Sequence, residues 1–191
     1  MSALGPSALA PGFLVAAPPL GDPNFDRAVV LLASHGADGA FGWIINGRDV
    51  MTMSELLLRA DISKDPPPRS GSVRLGGPVS KEQVWLIYRE EDRFSEVDGQ
   101  FEVGAGVLSC ASRRALELIA LREPPASLFG VAGYAGWAPG QLENEIRSGA
   151  WLPVDLDRRL VFEVPRDELW RRSYERAGTS PIAFSSKVGL A

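Results

Sequence analysis

The stretch Gly130-Val131-Ala132-Gly133-Tyr134-Ala135-Gly136-Trp137-Ala138-Pro139-Gly140-Gln141-Leu142-Glu143-Asn144-Glu145 restricts the fold more than any other part of the chain. Residues 128–132 form an apolar run with the pattern of a buried strand. It leads into a glycine-spaced turn carrying Tyr134 and Trp137, then into a helix whose first turns hold Gln141, Glu143 and Glu145. Pro139 suits the first helical turn, where its missing N–H costs no hydrogen bond. Leu142 and Ile146 share the inner face of that helix, Glu143 and Arg147 make an i,i+4 pair outside, and Gly149 is the expected stop. Glycine lets backbones approach closely, so aromatic rings set among glycines describe a shaped, packed surface.

Residues 12–17 read as a first strand, followed by turn chemistry at Gly21-Asp22-Pro23-Asn24. Residues 28–33 are continuously apolar, the pattern of a strand covered on both faces, and residues 41–45 return after His35-Gly36-Ala37-Asp38-Gly39. This makes a hairpin, with a loop longer than the tightest type. Thr52 or Ser54 caps a short helix running to Ala60, with Glu55 near its positive end. Asp65-Pro66-Pro67-Pro68 is a stiff surface connection. Further strands are expected at 73–75 and 84–88, and a meander over 94–109 that turns at Asp98-Gly99. A helix over 113–122 buries Leu116, Ile119 and Ala120, with Ala115 and Leu118 widening the face. An extended piece covers 155–164. A last helix from 165 to 177 turns Trp170, Tyr174 and Ala177 inward. Strands come in consecutive groups without regular βαβ alternation, which favours an α+β class with a largely antiparallel or mixed, curled sheet.

At 191 residues, 45% hydrophobic and 23% charged, the chain suits one well-cored domain, with 1–10 and 179–191 expected to be flexible. A formal charge of −4 disfavours binding to a nucleic-acid backbone, and Arg113, Arg114, Arg158, Arg159, Arg171 and Arg172 are interleaved with acids. The single cysteine, Cys110, excludes an internal disulfide, and the single histidine, His35, excludes a clustered Cys/His metal site. Residues 1–11 lack a secretory signal pattern, and no run reaches the about 18 apolar residues of a membrane span. The expectation is a cytoplasmic protein without membrane attachment, metal or cofactor; an oligomer is left open.

Taken together, several blocks resemble the YqgE/AlgH family of bacterial proteins. They are Gly12-Phe13-Leu14-Val15-Ala16 with Asp22-Pro23-Asn24-Phe25, and Ser34-His35 followed by Gly39-Ala40-Phe41-Gly42-Trp43-Ile44-Ile45-Asn46. Gly76-Gly77-Pro78-Val79, the long block from Gly133 to Ile146, Ala150-Trp151-Leu152 and Leu169-Trp170 complete the match. The resemblance implies a single α+β domain with a bent, barrel-like sheet and helices packed on it. It implies no defined reaction, and one branch of the family carries a proposed role as a transcriptional regulator. The chain departs from the family at Asn46-Gly47-Arg48, where Asn-Arg-Pro is usual, and loss of that proline is expected to loosen the exit from the strand.

The candidate site is a cleft formed by His35, Asn46, Gly77, Tyr134, Trp137, Gln141 and Glu143. His35 is the one candidate general base or polar hook, with Asp38 able to orient it; its plainer role is to satisfy backbone groups of the turn. Cys110 is either a reactive thiol near a helix start or a small buried hydrophobe. The glycines of 133–141 superficially suggest a phosphate loop, but no lysine is in reach and the acids at 143 and 145 oppose an anion. Glu143 and Glu145, two apart on a helix, point different ways and do not form a catalytic carboxylate pair. The reading is a non-enzymatic binding or regulatory module with a protein or small-molecule partner. A hydrolase using His35 with Asn46 or Glu143 is the alternative, and direct DNA binding comes third.

Overall fold

The computed structural model describes residues 9–188. β1 (Gly12–Ala16), β2 (Val29–Gly36) and β3 (Gly39–Ile44) open the chain as an antiparallel group, and β4 (Asp49–Thr52) runs directly into α1 (Met53–Arg59). β5 (Ser72–Leu75), β6 (Val79–Arg89), β7 (Phe101–Gly104) and β8 (Val107–Cys110) precede α2 (Arg113–Leu121). β9 (Phe129–Trp137), α3 (Gln141–Arg147), β10 (Trp151–Asp155), α4 (Arg158–Phe162), α5 (Leu169–Arg176) and α6 (Pro181–Val188) follow. The strands join in the order β10-β1-β2-β3-β9-β6-β8-β7, with β4 attached to β5 and β5 pairing in parallel with β9. The result is an α+β fold whose mixed, mainly antiparallel sheet curls into a half-barrel, as the strand grouping implied.

Side-chain alternation fixes which face each strand buries. Phe13, Val15, Val29, Leu31, Trp43 and Ile45 enter one core, closed by Leu160, Val161, Leu169 and Tyr174 of α4 and α5. Their neighbours Leu14, Ala16, Val30, Leu32 and Ile44 enter a second core with Leu142 and Trp151. A third core packs α1 and α2 on β5, β6 and β8 through Leu57, Val73, Tyr88, Cys110 and Ile119. Both faces of the central strands are therefore covered, which is why the runs at 28–33 and 128–132 carry no polar alternation.

The glycine-spaced segment expected to turn is instead the second half of β9. Gly133, at φ 76°, adds one residue to the strand and shifts its phase. Phe129 and Val131 face the first core before it, Tyr134 faces the same core after it, and Ala135 and Trp137 face the second. The glycines mark crossings of backbone: a Cβ on Gly77 would lie 2.1 Å from the Tyr134 carbonyl, and one on Gly76 2.4 Å from that of Gly133. Locally such glycines read as a turn; packing makes them a strand.

Other elements also depart from the sequence pattern. Gly36 pairs with Gly39, so the β2–β3 hairpin closes over Ala37-Asp38 alone, tighter than expected because glycine stands on both sides. The turn between β7 and β8 falls at Ala105-Gly106, with Ala105 at φ 50°, and not at Asp98-Gly99. Residues 94–100 form a loop pinned by Gln100, whose amide bonds Phe94, Val97 and the Tyr88 hydroxyl. Thr52, and not Ser54, caps α1, in a reciprocal capping box with Glu55. In α2 the buried face is Ala115, Leu118 and Ile119, with Leu116 and Ala120 at its edges. The expected extended piece at 155–164 is the end of β10 followed by α4. α5 buries Leu169, Ser173 and Tyr174, while Ala177 is exposed. Of the tails expected to be flexible, 1–8 and 189–191 lie outside the described residues; Pro181–Val188 is helical, with Phe184 against Tyr174.

After β3 the backbone at Gly47 passes close to the end of β5. A Cβ there would meet the Leu75 carbonyl at 2.1 Å, so this backbone path has no room for the family's usual arginine. The segment is also held by Arg74 Nη1 donating to the Ile45 carbonyl and Arg166 Nη1 donating to that of Gly47.

Candidate functional site

The structure divides the expected site residues between the two ends of the β2–β3 hairpin. At the tip, β2 carries His35 towards α3, and its Nε2 lies 2.9 Å from Glu143 Oε1. The backbone N–H of Glu143 at the helix start, and then His35, hold the Glu143 carboxyl below its ordinary range. Glu143 thus turns to His35 and not to Arg147. Two positions on, Glu145 Oε2 accepts the indole N–H of both Trp137 and Trp151 at 2.8 Å, and its Oε1 accepts from Gln141. Gln141 in turn accepts from the Ala138 N–H and closes the start of the helix. The Trp137 and Trp151 rings meet edge to face at 5.8 Å. Glu145, unassigned in the expected cleft, is the hub of this end.

Asn46 sits beyond the opposite end of β3. Ala40, the partner of His35 across the hairpin, is on the order of 20 Å of extended strand away. Its Oδ1 accepts from Val29 N–H at 2.8 Å and its Nδ2 donates to the Arg27 carbonyl at 2.9 Å, so the side chain ties the start of β2 to the end of β3. Gly77 and Tyr134 meet as packing partners, with Tyr134 in an aromatic group that includes Phe41 at 4.9 Å and Trp85 at 5.8 Å. His35, Gln141, Glu143 and Trp137 therefore assemble at one end, and Asn46 stands apart from them.

Asn46 lines an open cleft of about 790 Å³ with Arg27, Arg48, Arg166, Trp170 and Pro181. The Arg27 guanidinium lies over the Trp170 ring at 5.6 Å, and the indole N–H donates to the Ala16 carbonyl, which fixes the ring. Arg166 is held by Asp49 in a two-pronged ion pair. Asp26 and Asp167 stand on the same rim, so the cleft carries both signs of charge. A neighbouring depression of about 460 Å³ shares Asn46 and Arg48 and adds Lys81 and Leu75. Among the described residues Arg27, Arg48 and Lys81 form no ion pair. Nothing in sequence spacing joins Arg27, Arg48 and Trp170; only Asn46 and Leu169-Trp170, as parts of the family pattern, pointed here.

Cys110 is fully buried and burial pushes its thiol pKa up, the setting of a packed hydrophobe. Among the described residues no group of three or more His, Cys, Asp or Glu could hold a metal ion, and no helix is long and apolar enough to cross a membrane. Arg114, Arg159, Arg171 and Arg172 are paired with acids on their own surfaces, as the interleaved charges implied.

A half-barrel sheet with helices on both faces and this strand order defines a class of small α+β domains. The AlgH-like family model matches residues 13–182, and the chain belongs to that family. A UPF0301 protein of Anaeromyxobacter sp. (strain Fw109-5) is 40% identical, with 96% of each chain covered. A UPF0301 protein of Vibrio cholerae is 31% identical over 94% of this chain and 97% of its own. The solution structure of the AlgH protein from Pseudomonas aeruginosa superposes with a TM-score of 0.77 at 30% identity, covering 94% of each chain.

Proposed function

We propose that the protein is a non-enzymatic binding or regulatory module, and that its protein or small-molecule partner enters the cleft between Arg27, Asn46, Arg48 and Trp170. What supports this reading is the cleft itself: a fixed indole face, a guanidinium stacked on it and exposed cations without ion-pair partners among the described residues. Such a surface suits a ligand with a flat apolar part and a charged end. A small-molecule screen followed by amide and indole shifts is the test. Ligands that move the signals of Asn46, Arg48 and Trp170 are expected; hits that gather at His35 and Glu143 instead would count against the cleft.

One observation favours the hydrolase alternative. His35 Nε2 lies 2.9 Å from Glu143 Oε1, an imidazole–carboxylate contact of the kind that can orient a general base. Hydrolysis of simple esters that is lost in His35→Gln, with folding intact, would establish it. Direct DNA binding is tested by titrating duplex DNA at low salt, where a protein of net charge −4 is expected to show none.

A further inference from the structure

Arg74 is a charged residue inside a short strand, between Val73 and Leu75, and it is largely enclosed. Its guanidinium lies 3.9 Å over the Phe129 ring, and Nη1 donates to the Ile45 carbonyl at 2.7 Å. Its Nε is buried and has no hydrogen-bond partner among the described residues. Burial pushes the pKa down to about 10, Arg166 adds to that effect and Asp49 opposes it. No ion pair forms with Arg74 among the described residues. Asp49, the nearby carboxylate, is taken by both Nη atoms of Arg166 and by the Ser72 hydroxyl.

These groups border a pocket of about 190 Å³ lined by Arg74, Arg166, Ser72, Ser127, Phe129 and Phe162. It shares only Arg166 with the cleft proposed above. Two guanidiniums thus face one carboxylate, which leaves a positive charge uncompensated in an enclosed place. A charge so placed is costly unless it is paired. The π face of Phe129 and one carbonyl offset part of that cost, but neither supplies a negative charge.

We propose that this pocket binds a small oxyanion, a phosphate or carboxylate group, on the Nε–Nη2 edge of Arg74. The two N–H groups on that edge match two oxygens of such an anion. Nε is covered in this structure, so an anion entering the pocket meets the guanidinium first and reaches Nε only as the side chain turns; Nε, which has no partner among the described residues, gives up no hydrogen bond in doing so. The volume admits one such group, so a larger ligand would present it from outside.

The test is titration of the full chain with sodium phosphate, and separately with sodium acetate, at ionic strength matched by sodium chloride. Amide and arginine Nε–H signals are followed. Saturable shifts centred on Ser72, Arg74 and Phe129 are expected, and the tighter of the two anions identifies the group. In Arg74→Gln the affinity should fall by about tenfold or more, the loss of a charged hydrogen-bonded pair; Arg74→Lys keeps the charge without the fork and should fall between. If Arg74→Gln does not fold, the wild-type map decides. Saturation centred on Arg48 and Lys81, or no saturation with either anion, overturns the proposal.

Discussion

The two ends of the β2–β3 hairpin use polar residues in opposite ways. At the tip, His35, Gln141, Glu143, Glu145, Trp137 and Trp151 bind one another, and Glu145 alone satisfies both indoles. At the open end, Asn46 is fully engaged with backbone, but the cations around it, Arg27, Arg48 and Lys81, have no ion-pair partner among the described residues. The most distinctive sequence block therefore lies where the chain satisfies itself. Arg27, Arg48 and Lys81 lie outside the blocks that carry the family resemblance. A residue pattern that identifies a family can do so because it closes the fold.

The largest expected effect that tests this contrast is at Glu145. Glu145→Ala strands the indole N–H groups of Trp137 and Trp151, which are 6% and 1% exposed. A loss of about 3 kcal/mol is expected from urea denaturation, since hydrogen bonds to a charged acceptor are strong and their stranded donors stay buried. Glu145→Gln keeps one acceptor and should cost about 1 kcal/mol. If Glu145→Ala is as stable as the wild type, the tip is not a self-satisfying end and the contrast fails. Asn46→Ala comes next, at about 2 kcal/mol, because the buried Val29 N–H loses its acceptor and the Arg27 carbonyl its donor. Unchanged stability with altered ligand binding would move Asn46 from the scaffold to the binding surface.

The same contrast explains what the sequence made legible. The hairpin could be read because long apolar runs flank an Asp-Gly, and the α1 cap because Thr52 and Glu55 stand three apart. The second half of β9 could not: Gly133 and Gly136 have turn chemistry, and only the crossing of 76–77 over 133–134 makes them strand. Ala105 at φ 50° took a turn that local preference gives to Asp98-Gly99. Grouping His35 with Glu143 anticipated a pair 108 residues apart, whereas adding Asn46 failed because position along a strand, not nearness in sequence, sets distance. The one clue to Arg74 was a charge within an apolar strand; its pocket depends on Phe129 and Phe162, far away in the chain.

A smaller effect is expected at Glu143, and its pH dependence carries the information. A carboxyl held below its ordinary value of 4.5 stabilises the fold above that value, and the contribution is lost as pH falls through the lower folded value. The melting temperature of wild type should therefore exceed that of Glu143→Gln at about pH 6, and the difference should close towards about pH 3. A difference that widens on acidification would mean that the contact favours the protonated carboxyl, contrary to the geometry at His35.

The smallest stability effect should come from Arg48→Ala and Lys81→Ala. Both side chains are exposed and without an ion pair among the described residues, so each variant should stay within about 0.5 kcal/mol of wild type. The substitutions matter for that reason: a residue that does nothing for the fold yet borders a cleft shows its role only when a ligand is present. If either variant is markedly destabilised, the open end is scaffold like the tip, and the unpaired cations are misread. If both are as stable as wild type and weaken binding of a ligand seen at Asn46 and Trp170, the two ends differ as the geometry indicates, one closing the fold and the other meeting the partner.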